Sequence, residues 1–426
     1  MSISSQRSAE GENETVSSGL PPSLRELKLV GLLSTFTLCA FVLFLFWNAL
    51  QAVFLALQVQ SIDQDSAAAG LALVIGVGAF GALISAPIAG ALSDRTRTRI
   101  GGRAPWMLFG AVATFFFALM LANSGTIMEL TIYWFLIQIS TNFIFTPLMV
   151  HIPARVPLKR RGIFSAAVGI SNLLGILIGQ VLGAAFSEEI LAGYILVSVL
   201  LLLAVMIFVV VSRQSNIGIA KPSFSLTDIV KTFWVNPIKY PAFGWIFLGR
   251  LLFLTGFFPL KVYLLYILQD YIELGDNAVK SLPPMALAGI VGGAIGTGYA
   301  GWLSDRLGVT RPIIYACSAL MIGAILIPLF FPTFAGMIIY SVLVGAGFGG
   351  FASVDYVLIT KVLPSERDAG KDLGIINMTT TLSQTMGVGL AGFMVSMLDN
   401  YSILFVMAIV FITLGTACVA LIRGVR

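Results

Sequence analysis

Twelve apolar runs, most of them about the length of a bilayer-spanning helix, occupy nearly all of the chain after residue 29. A hydrocarbon core about 30 Å thick takes about 20 apolar residues per helix. Backbone groups in lipid must satisfy one another, so such runs become helices or closed barrels, and uninterrupted runs of this length become helices. They are Val30–Leu57, Ala67–Leu92, Trp106–Leu121, Leu130–Ile152, Ile163–Phe186 and Ile190–Val211, then Phe243–Leu268, Met285–Leu303, Ile313–Phe331, Phe334–Leu358, Leu373–Leu398 and Ile403–Ile422. With 426 residues, 58% hydrophobic and 11% charged, the chain falls far below the charge content of about a quarter found in soluble domains. The expected fold is an all-α membrane protein of twelve transmembrane helices, and no length remains for a soluble domain.

The runs divide six and six. Residues 1–29 form a Ser- and Glu-containing tail whose first 22 residues lack an apolar core, which excludes a cleavable signal peptide and predicts a disordered segment. Residues 30–211 form a first six-helix bundle, residues 212–242 a polar linker, and residues 243–426 a second bundle. Within the linker, Leu226–Trp234 is amphipathic and expected to lie on the membrane surface. Placing the N-terminus in the cytoplasm puts 22 of the 25 Lys and Arg residues on the cytoplasmic side. By the positive-inside rule both termini then face the cytoplasm, in the cytoplasmic cell membrane. The same rule accounts for the net charge of +5 without a nucleic-acid partner.

The two halves share a motif. Gly90-Ala-Leu-Ser-Asp94-Arg95, followed by Arg97, Arg99 and Arg103, returns as Gly301-Trp-Leu-Ser-Asp305-Arg306 after the second run of the second half. Gly lets a helix end pack closely, Asp suits the positive end of a neighbouring helix, and Arg resists transfer across the bilayer. A second echo pairs Pro157-Leu-Lys-Arg-Arg161 leading to Asn172 with Pro364-Ser-Glu-Arg367 leading to Asn377. The bundles are therefore expected to be pseudo-symmetric, with function between them.

The Gly-x-x-x-Asp-Arg element resembles the signature of the major facilitator superfamily, and Ser-Asp-Arg-Thr-Arg-Thr-Arg-x-Gly-x-Arg-x-Pro-Trp looks most like the sugar:cation symporter branches, the glycoside-pentoside-hexuronide and sucrose carriers. The resemblance implies a secondary carrier working by alternating access, with solute near the midplane between the halves. It assigns gating to the loops at Gly90, Asp94, Arg95, Gly301, Asp305 and Arg306, and implies a sugar or glycoside as solute. Gly179-Gln180-Val-Leu-Gly183 also resembles the helix-5 motif of drug:proton antiporters, with Gln180 where that motif has Pro, so export of amphipathic compounds is the alternative. The related carriers hold acids in their second or fourth helix. This chain has none within either, so coupling by those residues is not expected; Asp355 is the one carboxylate left within a helix away from the signature loops, a proton is expected before sodium, and uniport stays open.

Trp47, Gln51, Phe54 and Gln58 fall at helical spacing on one face of the first run. Amides interleaved with rings suit a neutral polyol, through hydrogen bonds to hydroxyls and stacking on its apolar face. Amides also glue membrane helices together, and the spacing does not separate the two roles. The fourth run adds Gln138, Asn142 and Phe145, the fifth Asn172 and Gln180, and the seventh Phe257. Ionisable residues at a helix centre cost about 2.5–3.5 kcal/mol on insertion scales and need a partner or a wet cavity. Arg250 and Asp355 both lie about 10 Å from the cytoplasmic side at about 1.5 Å per residue, so they can pair. Lys261 shares a face with Arg250 and Phe257, or snorkels outward. These three are the candidate ion-coupling residues, with Asp355 the acceptor of a proton.

Paired Gly residues in the fifth and eighth runs have the small-x-x-x-small spacing of close helix contacts. Cys39, Cys317 and Cys418 lie inside apolar runs and are expected to pack as small hydrophobes. His151, the one histidine, is expected at the interface, and neither a metal site nor a nucleophile beside a base can be assembled. An enzyme or a sensor is accordingly the remote alternative. No cofactor is implied, the partners are the solute and the lipid bilayer, and the carrier is expected to act as a monomer.

Overall fold

A computed structural model describes residues 22–157, 160–213, 240–362 and 369–422. The tail up to residue 21, nearly all of the linker with its amphipathic piece, and the Pro364–Arg367 part of the second echo lie outside the described residues. Twelve helices are long and apolar enough to cross a membrane, as the runs require. We number them α1, Pro22–Ala49 continuing through a π turn Leu50–Phe54 into Leu55–Ile62; α2, Ala67–Arg95; α3, Ala104–Ala122; α4, Ile127–Arg155; α5, Arg161–Ala185; α6, Ile190–Ser212; α7, Pro241–Val262 continuing through Leu264–Tyr266 and a π turn Ile267–Tyr271; α8, Asn277–Leu307; α9, Arg311–Phe330; α10, Phe334–Val362; α11, Ala369–Leu398; and α12, Ser402–Ala420. α1 starts at Pro22, earlier than its apolar run, because a helix can outlast the hydrocarbon and Pro is tolerated at a first turn. The expected tail therefore loses its last eight residues to α1.

Each set of six packs on itself. α1 lies against α5 and α6, α2 against α4, and α3 against α4 and α6; α7 lies against α11 and α12, α8 against α10, and α9 against α10 and α12. α2 with α11 and α5 with α8 join the two bundles. Between lipid-soluble surfaces the hydrophobic effect gives little, so small residues that admit close backbones set the contacts. A Cβ on Gly175 or Gly179 would meet the α1 backbone at Leu45 N, 2.9 Å, and Leu45 O, 2.7 Å. Gly249 and Gly415 play the same part between α7 and α12. Large apolar side chains such as Phe116, Val210, Ile295 and Met397 stay more than half exposed, as a lipid-facing belt demands.

The two ends of the molecule differ. At the end opposite the Asp94 and Asp305 motifs, Tyr263 of α7 donates its hydroxyl to Ala68 O of α2 at 2.9 Å, and Tyr266 donates to Ala56 O of α1 at 2.8 Å. Both tyrosines are fully buried, and Gly392 of α11 brings its backbone against Ala68 and Ala72 beside them. Both hydrogen bonds join one bundle to the other. They latch the bundles at this far end, whereas around Gly301 at the motif end nothing lies within 4 Å of an added Cβ. A net hydrogen bond is worth about 0.5–1.5 kcal/mol. Tyr263→Phe with Tyr266→Phe is therefore expected to shift the population toward far-end opening by about tenfold, read as increased labelling of a cysteine placed at Ala56. Unchanged labelling would mean that apolar packing alone closes that end.

Candidate functional site

α7 and α10 run antiparallel, and their facing side chains form a three-rung ladder. Phe257 stacks on Phe348 with centroids 4.2 Å apart and planes at 8°, and Phe253 on Phe351 at 3.8 Å and 10°. The next rung toward the motif end is ionic: Arg250 Nη1 donates to Asp355 Oδ2 in a short ion pair. Steps of three and four residues on both helices place the rungs in register. Asp355 is only 4% exposed, and Arg250 Nε has no acceptor. A cavity of about 130 Å³ opens beside the pair, lined in part by Arg250, Leu254, Phe351, Asp355, Tyr356 and Asn377. Of its lining, Tyr356 is 60% exposed and Asn377 is exposed.

Lys261 lies on the α7 face of Arg250, Leu254 and Phe257. The α7 face packed on α12 carries Gly249 and Gly256, and that packed on α11 carries Leu251 and Thr255. The lysine face is the remaining one, the face that meets α10 through Phe257 and borders the cavity at Arg250 and Leu254. Lys261 is exposed and makes no hydrogen bond or ion pair with any described residue.

α1 does not keep its four candidates on one face. The π turn Leu50–Phe54 inserts extra rotation between Trp47 and the residues beyond it. Trp47 stays with α4, donating Nε1 to Thr141 Oγ1 at 3.3 Å and meeting Phe145 edge-on at 5.5 Å. Gln51 is half-buried within the turn. Phe54, fully buried, packs on Tyr194 of α6. Gln58 turns into the first bundle, donating to Leu121 O of α3 at 2.8 Å and accepting from the Tyr194 hydroxyl at 3.0 Å. Phe54 and Gln58 therefore act as packing and interhelical glue here, because a regular 3.6-residue period fails across a π turn. A cysteine at 51 is expected to react with a small polar thiol reagent at least tenfold faster than one at 58. Equal rates would restore the single stripe.

On α4, Asn142 Nδ2 donates back to Gln138 O at 2.9 Å, and Gln138 lies against α2 near Gly78 with its Oε1 unpaired. Phe145 joins Trp47 and Phe44 in an aromatic cluster. On α5, Gln180 is buried with Oε1 unpaired, and Asn172 is half-buried.

The motif residues are helical and not in turns, Gly90, Asp94 and Arg95 closing α2 and Gly301, Asp305 and Arg306 closing α8. Neither glycine makes the expected close approach. An added Cβ on Gly90 would find only Thr146 at 3.6 Å, and on Gly301 nothing within 4 Å. Asp94 does sit at a helix start, 3.4 Å from Arg103, the residue preceding α3. Trp106 Nε1 donates to Thr96 Oγ1 across the same loop. The second copy is built differently: Gly308 turns the chain at φ 66°, and Arg306 lies 5.2 Å over the Trp302 ring. His151 is buried, not interfacial, with Nδ1 2.7 Å from Pro147 O and its ring against Phe208. The three cysteines are buried. Tyr263, Tyr266, Phe348 and Phe351 were absent from the sequence candidates; the one available signal was four aromatic rings in runs that also carry the intramembrane charges.

Twelve spans in two bundles, with a buried ion pair beside a cavity of the second, and the family match that follows define a membrane transport protein and not an enzyme. The chain belongs to the major facilitator superfamily: that family's model matches residues 36–367 and again 291–426. Among curated proteins no relative matches in sequence. Among solved structures, the nucleoside transporter NupG superposes with a TM-score of 0.75 at 11% identity, covering 92% of this chain and 100% of that one. A bacterial homologue of the human lysosomal transporter Spinster, in an inward-facing unoccupied conformation, gives 0.71 at 14% identity and covers 95% and 98%. A POT family transporter also gives 0.71 at 14%, covering 92% and 96%. At such identities the likeness is one of fold.

Proposed function

We propose that the protein takes up a small polar solute, such as a sugar or glycoside, together with a proton, by alternating access. The observation that carries this reading is the Arg250–Asp355 pair, buried in the wall of a cavity of the second bundle. A proton and Arg250 compete for the same carboxylate. A solute entering the cavity can tip that competition only if the two helices move, and α7 and α10 touch there through side chains alone. The symmetric loops at Asp94 and Asp305 serve as gates, and Trp47, Gln51, Gln138, Asn142 and Phe257 are the proposed solute contacts. Lys and Arg asymmetry supports placement in the cytoplasmic membrane with both termini inside, so that the motif end faces the cytoplasm. The NupG likeness is compatible with a small polar cargo.

Proteoliposomes given an inward proton gradient are expected to accumulate one or more of a panel of radiolabelled sugars and glycosides, and to lose the accumulated label when a protonophore is added. Label retained after the gradient collapses would remove the proton. Absence of both accumulation and exchange across the panel would remove sugars as the cargo class.

A further inference from the structure

α7 carries one more cation within its span than the described residues neutralise. Arg250 is matched by Asp355, whereas Lys261, about 16 Å farther along the same face at about 1.5 Å per residue, has no carboxylate within ion-pair distance among the described residues. Among the described residues the other acids stand apart from it: Asp270 lies about 14 Å farther along α7 at about 1.5 Å per residue, beyond the Tyr263 and Tyr266 latch. Glu129 caps the first turn of α4, accepting from Gly125 N at 2.8 Å, and Asp94 and Asp305 lie at the motif ends of α2 and α8. An ammonium inside a membrane span is costly unless something meets it. The chain does not supply that group.

We infer that Lys261 is the counter-charge for a negatively charged group on the solute, so that the carrier selects an organic anion over its neutral analogue. The assignment rests on the reading that this cavity binds a small polar solute and narrows it to one carrying a carboxylate or a similar oxyanion. The surroundings fit that chemistry. The π turn of α1, with the half-buried Gln51 amide, meets α7 near this level, while the Phe257–Phe348 stack one turn away offers an apolar wall for a carbon skeleton. Arg250 remains committed to Asp355, so anion recognition and proton binding occupy separate rungs of one helix face.

The test reads the charge of the site without needing the natural cargo. In protein carrying Gln51→Cys, whose native cysteines are buried, rates of modification by sulfonatoethyl and by trimethylammonioethyl methanethiosulfonate are each divided by the rate with 2-mercaptoethanol. At low ionic strength the normalised ratio is expected to favour the sulfonate by about three- to tenfold. Adding Lys261→Gln should bring the ratio near one, and Lys261→Arg should keep it. A ratio near one with Lys261 present, a preference untouched by Lys261→Gln, or a thiol at 51 that reacts with neither reagent overturns the inference. D-glucuronate and D-glucose, which differ by one carboxylate, then separate it from the sugar reading. Protection of the thiol by glucuronate but not glucose supports both. Protection by glucose alone overturns the anion site and leaves a sugar carrier, whereas a charge preference with protection by neither leaves the anion site standing and removes the sugar.

Discussion

Asp355→Asn is expected to abolish pH-driven accumulation of solute, at least a tenfold loss, while solute exchange across the membrane continues. The asparagine side chain keeps an oxygen that can accept from Arg250 Nη1, so the α7–α10 ladder retains its third rung, but it no longer binds and releases a proton. A carrier using Asp355 to couple proton to solute therefore becomes an exchanger. Asp355→Leu is the harsher change: it strands a guanidinium whose Nε already lacks an acceptor, and removing one partner of a buried pair costs about 3–5 kcal/mol. That variant should show reduced folded yield. The double change Asp355→Asn with Arg250→Gln distinguishes coupling from a static bridge. Restored accumulation in the double variant would mean the pair only hides two charges, and the proton would have to bind elsewhere.

Gly296→Val is expected to prevent assembly of the second bundle, whereas Gly298→Val, two residues away on the same helix, is expected to leave it folded. An added Cβ at Gly296 would overlap Ala346 O and lie 2.6 Å and 2.7 Å from the carbonyl carbon and Cα of the same residue, while at Gly298 nothing lies within 4 Å. The obstacle at Gly296 is backbone, so no rotamer change relieves it. Overpacking costs about 1–3 kcal/mol where side chains can yield, and more where they cannot. Gly292 repeats the contact one turn earlier against Val342, with Cα at 3.0 Å, so α8 and α10 cannot simply tilt about one point. Size-exclusion profiles in detergent should show aggregated or absent protein for Gly296→Val and a monodisperse peak for Gly298→Val. Two matching monodisperse peaks would mean that the helices separate at little cost.

The small-x-x-x-small spacing of Gly289, Gly293, Gly292 and Gly296 was readable as a packing surface, but its partner was not. Sequence spacing reports which residues share a face and says nothing of which helix comes to lie on it. The same limit applied to the charges. Equal depth made an Arg250–Asp355 pair possible, and only the antiparallel register of α7 and α10 brought the atoms together. Trp47 and Phe145 were likewise separate candidates until α1 met α4.

By itself the sequence determined twelve spans, their division into two sets of six, the repeated motif and the three intramembrane charges of α7 and α10. Each follows from local chemistry, because a backbone in lipid has few ways to satisfy its hydrogen bonds and an ionisable side chain stands out against 58% hydrophobic residues. Tertiary structure decided the rest. The π turn in α1, which sends Phe54 and Gln58 into the first bundle, leaves no mark on apolar periodicity, since it adds less than one residue to a turn. The latch of Tyr263 and Tyr266 on Ala68 and Ala56, and the open space around Gly90 and Gly301, depend on the relative placement of the two bundles. That placement is a property of the contacts between them, and a carrier that works by changing those contacts cannot have it written in the periodicity of any single helix.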